Sequence, residues 1–147
     1  MKQLPIGISN FKTIREDEFY YIDKSLIIKE FIKSSESCLI LRPRRFGKTL
    51  NLSMMKHFFD IRNDNKHLFN GLKIEKEEEF KHLNKHPIIY LTFKDVKSSK
   101  FEDCMSDVFL IISQLVREYY NEIVDFADEK EKEILNRYLL FILQKMK

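Results

Sequence analysis

One stretch of the sequence carries residue types whose order could do chemistry: Arg42-Pro43-Arg44-Arg45-Phe46-Gly47-Lys48-Thr49. Its end, Gly-Lys-Thr, matches the close of the phosphate-binding pattern G-x-x-x-x-G-K-[ST], which joins a strand to a helix. Polyphosphate recognition asks for these types. Consecutive backbone N–H groups from Arg45 through Phe46 to Thr49 can turn inward onto phosphate oxygens. Gly47 admits a backbone approach that a Cβ would block. The first turn of a helix brings its positive end to the same place. Lys48 reaches the outer phosphates as a mobile point charge. The Thr49 hydroxyl can hold Mg²⁺, a cation that keeps several waters and takes few protein ligands. ATP and Mg²⁺ are therefore the expected ligands of this segment.

The segment departs from the general pattern at its start, where Arg42 replaces the first glycine. A residue before proline is pushed towards extended geometry. Arg42 is thus expected to prolong a strand, with Pro43 making the corner. Arg42, Arg44, Arg45 and Lys48 place four cations within seven residues. One or two of the arginines can neutralise phosphate charge; for Arg44 or Arg45 singly, surface solvation or pairing with an acid is the equal alternative.

The loop needs a strand before it and a helix after it. Cys38–Leu41 is a short apolar run bounded by serines and by Arg42-Pro43, which predicts a buried strand. Beyond Gly47, Leu50, Met54, Phe58 and Ile61 recur at helical spacing. Upstream, Asp23 can cap a helix carrying Leu26, Ile27, Phe31 and their neighbours Ile28 and Ile32. Asn63–Asn70 is polar and closes on Asn70-Gly71, a turn signal. Glu75–Lys81 predicts a solvated helical face. Ile88–Phe93, introduced by Pro87, predicts a second buried strand. Two long helices are expected to finish the chain. Ser98 or Ser99 caps the first, with Phe101, Met105, Val108, Ile112, Leu115, Val116 and Tyr119. The second starts at Asp128 and is apolar nearly all round from Tyr138 to Leu143.

Composition sets the frame. At 147 residues the chain is the size of one domain, expected to span 1–147. The 26 basic and 23 acidic residues leave +3, too mild to demand a polyanionic partner. Three glycines and three prolines argue against an all-β fold rich in tight turns, and 13 Phe with 6 Tyr predict an aromatic core. Cys38 and Cys104 lack metal or redox spacing and read as free thiols in a reducing compartment. The N-terminus has no signal-peptide run, and the longest apolar run, Tyr138–Leu143, is far short of about 20 residues. A cytoplasmic protein with no membrane partner is expected.

Four segments together resemble the AAA-ATPase-like family of bacterial and archaeal proteins. In order they are PIGISNFKTIREDEFYYIDKSLIIKEFI, LILRPRRFGKTLNLSMMKHFFD, LFNGLKI and HPIIYLTFKDVK. The resemblance runs from about Leu4 to Lys97, and more loosely through the helix that follows. In that family RPRRFGKT is the usual form of the loop; wider relatives carry GPRR-x-GKT. The resemblance implies an α/β fold, the N-terminal portion of a P-loop NTPase of the additional-strand type, helix-rich and with an incomplete sheet. In such relatives the two strands are not sheet neighbours, so edges or apolar faces are expected to stand open. It also implies that Tyr21-Ile22-Asp23-Lys24 lies near the adenine; for Asp23 a plain helix cap is the equal alternative.

Family members usually continue further, with paired acids closing another strand and often a C-terminal nuclease-like domain. Here Thr92, Phe93 and Lys94 intervene between Ile88–Leu91 and Asp95, and Ile123-Val124-Asp125 offers two apolar residues and one acid. Neither fits the carboxylate that must orient Mg²⁺ and water. The expectation is a truncated domain that binds nucleoside triphosphate without turning it over. The alternatives are a nucleic-acid-associated module using the basic loop, directly or through a longer protein, and a non-functional remnant. Self-association through the apolar helix at Tyr138–Leu143 is a further expectation.

Overall fold

The computed structural model describes residues 2–34, 37–94, 96–97 and 99–145, with the backbone alone at 121–123, 125–126 and 138–145. The chain forms two compact units, Met1–Ile88 and Ile89–Lys147.

The first unit is built around three helices: α1 (Phe11–Glu16), α2 (Ile27–Lys33) and α3 (Lys48–Phe59). Asn10 caps α1, its side-chain oxygen accepting from the Lys12 N–H at 2.9 Å. Phe11 and Ile14 then point inward from adjacent turns. Along α3, Asn51, Met54, Met55, Phe58 and Phe59 are buried. The expected face is kept at Met54 and Phe58, with Leu50 packed against the core, and fails only at Ile61, which lies beyond the helix end and is 52% exposed. The core is aromatic, as composition predicts. Phe58 meets Phe69 edge-on, centroids 5.2 Å apart, and Phe11 lies 5.2 Å from Phe69 on the other side.

After α3 the chain takes short 3₁₀ turns, Lys66–Phe69, Lys73–Lys76 and Glu78–His82. Arg15 donates from Nε to the Leu68 carbonyl and from Nη2 to the Asn70 carbonyl, both at 2.7 Å. This clasps α1 onto the Asn70-Gly71 turn. The run Glu75–Lys81 is not the solvated helix expected of it. Glu79 is buried and pairs with Lys33, while Glu77 pairs with Lys29, so two of the run's four acids are held by α2.

The α/β expectation is overturned. Among the described residues there is no sheet, and Asp60 with His86 forms an isolated parallel bridge. Cys38–Leu41 and Ile88–Phe93 are not strands: no ladder pairs either, and Leu39, Leu41, Ile89 and Phe93 are 80%, 81%, 67% and 54% exposed. Arg42 therefore has no strand to prolong. The physical reason lies in pairing. Apolar, β-branched composition favours extended backbone, but a strand is made by a neighbour's N–H and C=O groups, and nothing described here supplies them.

The second unit holds α4 (Phe101–Phe126) and α5 (Glu129–Lys145), which pack on each other. The helix α4 begins after Lys100, and of the two expected caps Ser98 lies outside the described residues. Tyr119 is buried on it, whereas Phe101 and Met105 are exposed. Asp128 starts α5 as expected. Its carboxylate accepts from the Glu131 N–H at 2.8 Å, and the Glu131 carboxylate accepts from the Asp128 N–H at 3.0 Å, a reciprocal capping box. The side chains of Tyr138–Leu143 lie outside the described residues. No helix among the described residues is long and apolar enough to cross a membrane.

Candidate phosphate site

The loop's own residues fix its shape. Residues 44–47 turn the chain into α3, with Arg45 at φ 69° and Gly47 at φ 74°. A left-handed arginine is costly, on the order of 1–3 kcal/mol, and such conformations concentrate where a site needs them. At Gly47 a Cβ would meet nothing within 4 Å in the protein. The glycine is therefore required there by its φ and not by crowding from the chain itself. Gly47 precedes Lys48, the first residue of α3, and no side chain caps the helix. The first N–H groups of α3 have no intrahelical partners, because the ladder begins with Asn51 N–H donating to the Gly47 carbonyl at 2.9 Å.

Lys48 folds back over the loop. Its Nζ donates to the Arg42 carbonyl at 2.5 Å and to the Pro43 carbonyl at 2.9 Å. These two bonds tie the start of α3 back to the residues that enter the loop.

A cavity of about 900 Å³ opens here, lined by Arg44, Arg45, Gly47, Lys48, Thr49 and Leu50 on one side and by Pro5–Ser9 on the other. The structure thus brings together Arg44, Arg45, Gly47, Lys48 and Thr49. Phe46 does not line the cavity; it is 60% exposed. Asp23 does not line it either. Its carboxylate accepts from the Ser25 N–H and the Lys73 N–H, both at 2.8 Å, fastening the approach to α2 onto the 3₁₀ turn at Lys73. Burial raises the Asp23 pKa, but the hydrogen bonds from Ser25 and Lys73 outweigh it and hold the group below its ordinary value. Its neighbour Tyr21 faces the core. The Tyr21 hydroxyl donates to the Met54 sulfur at 3.2 Å, and burial pushes its pKa up to about 12.

The Pro5–Ser9 wall was not singled out by sequence reasoning, although Gly7 at φ 78° signals its turn. Nor was Asn51, one turn into α3, buried with its side-chain nitrogen unpartnered. Among the described residues no acidic side chain lines the cavity, and no cluster of three His, Cys, Asp or Glu could hold a metal. A cation here would rest on the Thr49 hydroxyl, on water and on its ligand's own phosphates, an arrangement that suits Mg²⁺. Asp95 lies outside the described residues.

The family model described as "Predicted AAA-ATPase" matches residues 5–147, and the chain belongs to that AAA-ATPase-like family. It is 37% identical over 93 residues to an uncharacterized protein in the vnfD 5′ region of Azotobacter chroococcum mcd 1, a match covering 63% of this chain and 17% of that protein. The chain thus spans about a sixth of that relative's length. No solved structure matches it.

Proposed function

We propose that the chain binds a nucleoside triphosphate, as ATP with Mg²⁺, through Arg44–Thr49. The observation that carries this is the convergence of five expected residues on one cavity, at the uncapped start of α3. Family membership supports the nucleotide theme in general terms.

In this reading the first N–H groups of α3 take the phosphates and the helix dipole favours their charge. Lys48 leaves the Arg42 and Pro43 carbonyls and turns to the outer phosphates. Arg44 and Arg45 add positive charge at the rim, and Thr49 contributes its hydroxyl to the cation. Magnesium held at Thr49 would supply positive charge to offset that of the phosphates.

Calorimetric titration of Mg-ATP into the full chain tests the proposal. The expected result is saturable binding at one site that is lost in Lys48→Ala. Absence of binding, together with salt-sensitive retention on DNA, would instead favour a loop that meets a nucleic-acid backbone.

A further inference from the structure

The cavity beside the phosphate loop has two chemically different walls. Arg44, Arg45 and Lys48 make one cationic. The other, Pro5–Ser9, presents Pro5, Ile6 and Ile8, and Ile6 stands 87% exposed. A ligand that matches both needs a polyanionic end and a weakly polar end joined at short range. The volume of about 900 Å³ falls in the range of small-molecule sites, about 300–1,000 Å³.

The apolar wall is held from both sides. Before it, the Tyr20 N–H donates to the Gln3 carbonyl at 2.8 Å. After it, Asn10 caps α1, and the Phe11 N–H donates to Ser53 Oγ of α3 at 3.0 Å. The last bond ties the wall to the helix that begins at Lys48. Between these anchors the turn is closed by the Ile8 N–H on the Pro5 carbonyl at 3.3 Å, around Gly7 at φ 78°. An anchored turn loses little conformational entropy when a ligand covers it.

We infer that Pro5–Ser9 is the base-binding wall of this site, with Ile6 the side chain on which the nucleobase packs. The inference rests on the triphosphate reading above and adds to it the part that distinguishes a nucleotide from bare polyphosphate. The base covers the Ile6 side chain, and apolar area removed from water stabilises the complex. A purine covers more of it than a pyrimidine does.

The test compares Mg-ATP, Mg-CTP and magnesium tripolyphosphate, titrated into the full chain and into Ile6→Ser. That substitution changes an exposed side chain and adds no charge; circular dichroism checks that the helices are kept. Expected is ATP binding tighter than CTP and tripolyphosphate in the parent chain. In Ile6→Ser, ATP should weaken by about fivefold or more, tripolyphosphate should stay within about twofold, and the ATP–CTP gap should narrow. If Ile6→Ser binds ATP as the parent does, or if ATP binds no tighter than tripolyphosphate, the base wall is overturned while the phosphate loop stands. If the parent chain binds none of the three, both readings fall.

Discussion

The ammonium of Lys48 lies 2.9 Å from the Pro43 carbonyl oxygen, five residues back along the chain. The same lysine also takes the Arg42 carbonyl. The loop is thus cross-braced by the side chain proposed to bind its ligand. Binding must exchange these two neutral acceptors for charged ones, and the exchange is favourable because hydrogen bonds between charged partners are roughly twice as strong.

Lys48→Ala is expected to cost about 1.5–3 kcal/mol of triphosphate affinity, more than tenfold. Because Lys48 also braces the loop, residues 42–47 should exchange their amide hydrogens faster in this variant even without nucleotide. Titration and hydrogen exchange check the two halves separately; equal ATP affinity in both proteins would reject the role of Lys48.

Arg42 and Arg45 should respond to glycine in opposite ways. At Arg42 the loop uses the backbone carbonyl, which glycine retains, so Arg42→Gly should slightly lower stability without tightening ATP binding. At Arg45 the φ of 69° suits glycine better, so Arg45→Gly should relieve strain on the order of 1 kcal/mol while removing one positive charge from the cavity wall. Urea midpoints and ATP titrations of the two variants measure this. A clear gain in affinity for Arg42→Gly would show that the arginine impairs the loop.

Asp60 should make the first unit acid-sensitive. It is 2% exposed, and its carboxylate accepts from Arg62 Nε at 2.9 Å and Nη2 at 2.8 Å. Burial raises its pKa, but the hydrogen bonds and charge of Arg62 outweigh burial and leave it below the ordinary value. A lowered folded pKa means stability present above the unfolded value, about 3.9, and lost as pH falls through the folded one. Asp60→Asn should cost about 1.5–3 kcal/mol at neutral pH and flatten the loss of stability below about pH 4. Urea unfolding at pH 7 and pH 3 follows both; an unchanged acid profile in Asp60→Asn would clear Asp60 of the effect.

Phe58→Ala should be the most damaging core change. Phe58 is fully buried and its ring meets Phe59, Phe69 and Phe80. The expected cost is about 3–5 kcal/mol, enough to melt α3 and take the cavity with it. A loss below about 1 kcal/mol in chemical unfolding would mean that the three rings close over the gap.

Local rules were legible in the sequence. Gly-Lys-Thr and the Asp128 start signal act over a few residues, so their types and spacing place the loop, α3 and the start of α5, whereas the Asn10 cap of α1 and the Glu131 half of the capping box emerged only in the structure. The aromatic core could likewise be expected from 13 Phe and 6 Tyr. What needed tertiary structure was everything set by a distant partner. Cys38–Leu41 and Ile88–Phe93 have strand composition, yet they stay unpaired because pairing belongs to a neighbour and not to the segment. Glu77 and Glu79 read as part of a solvated run, and it is α2 that supplies their partners Lys29 and Lys33. Pro5–Ser9 comes to line the same cavity as Lys48 because α1 packs on α3, a packing that includes the Phe11 N–H to Ser53 Oγ bond across 42 residues. Such a contact depends on how α1 and α3 pack, and no spacing along the chain encodes it.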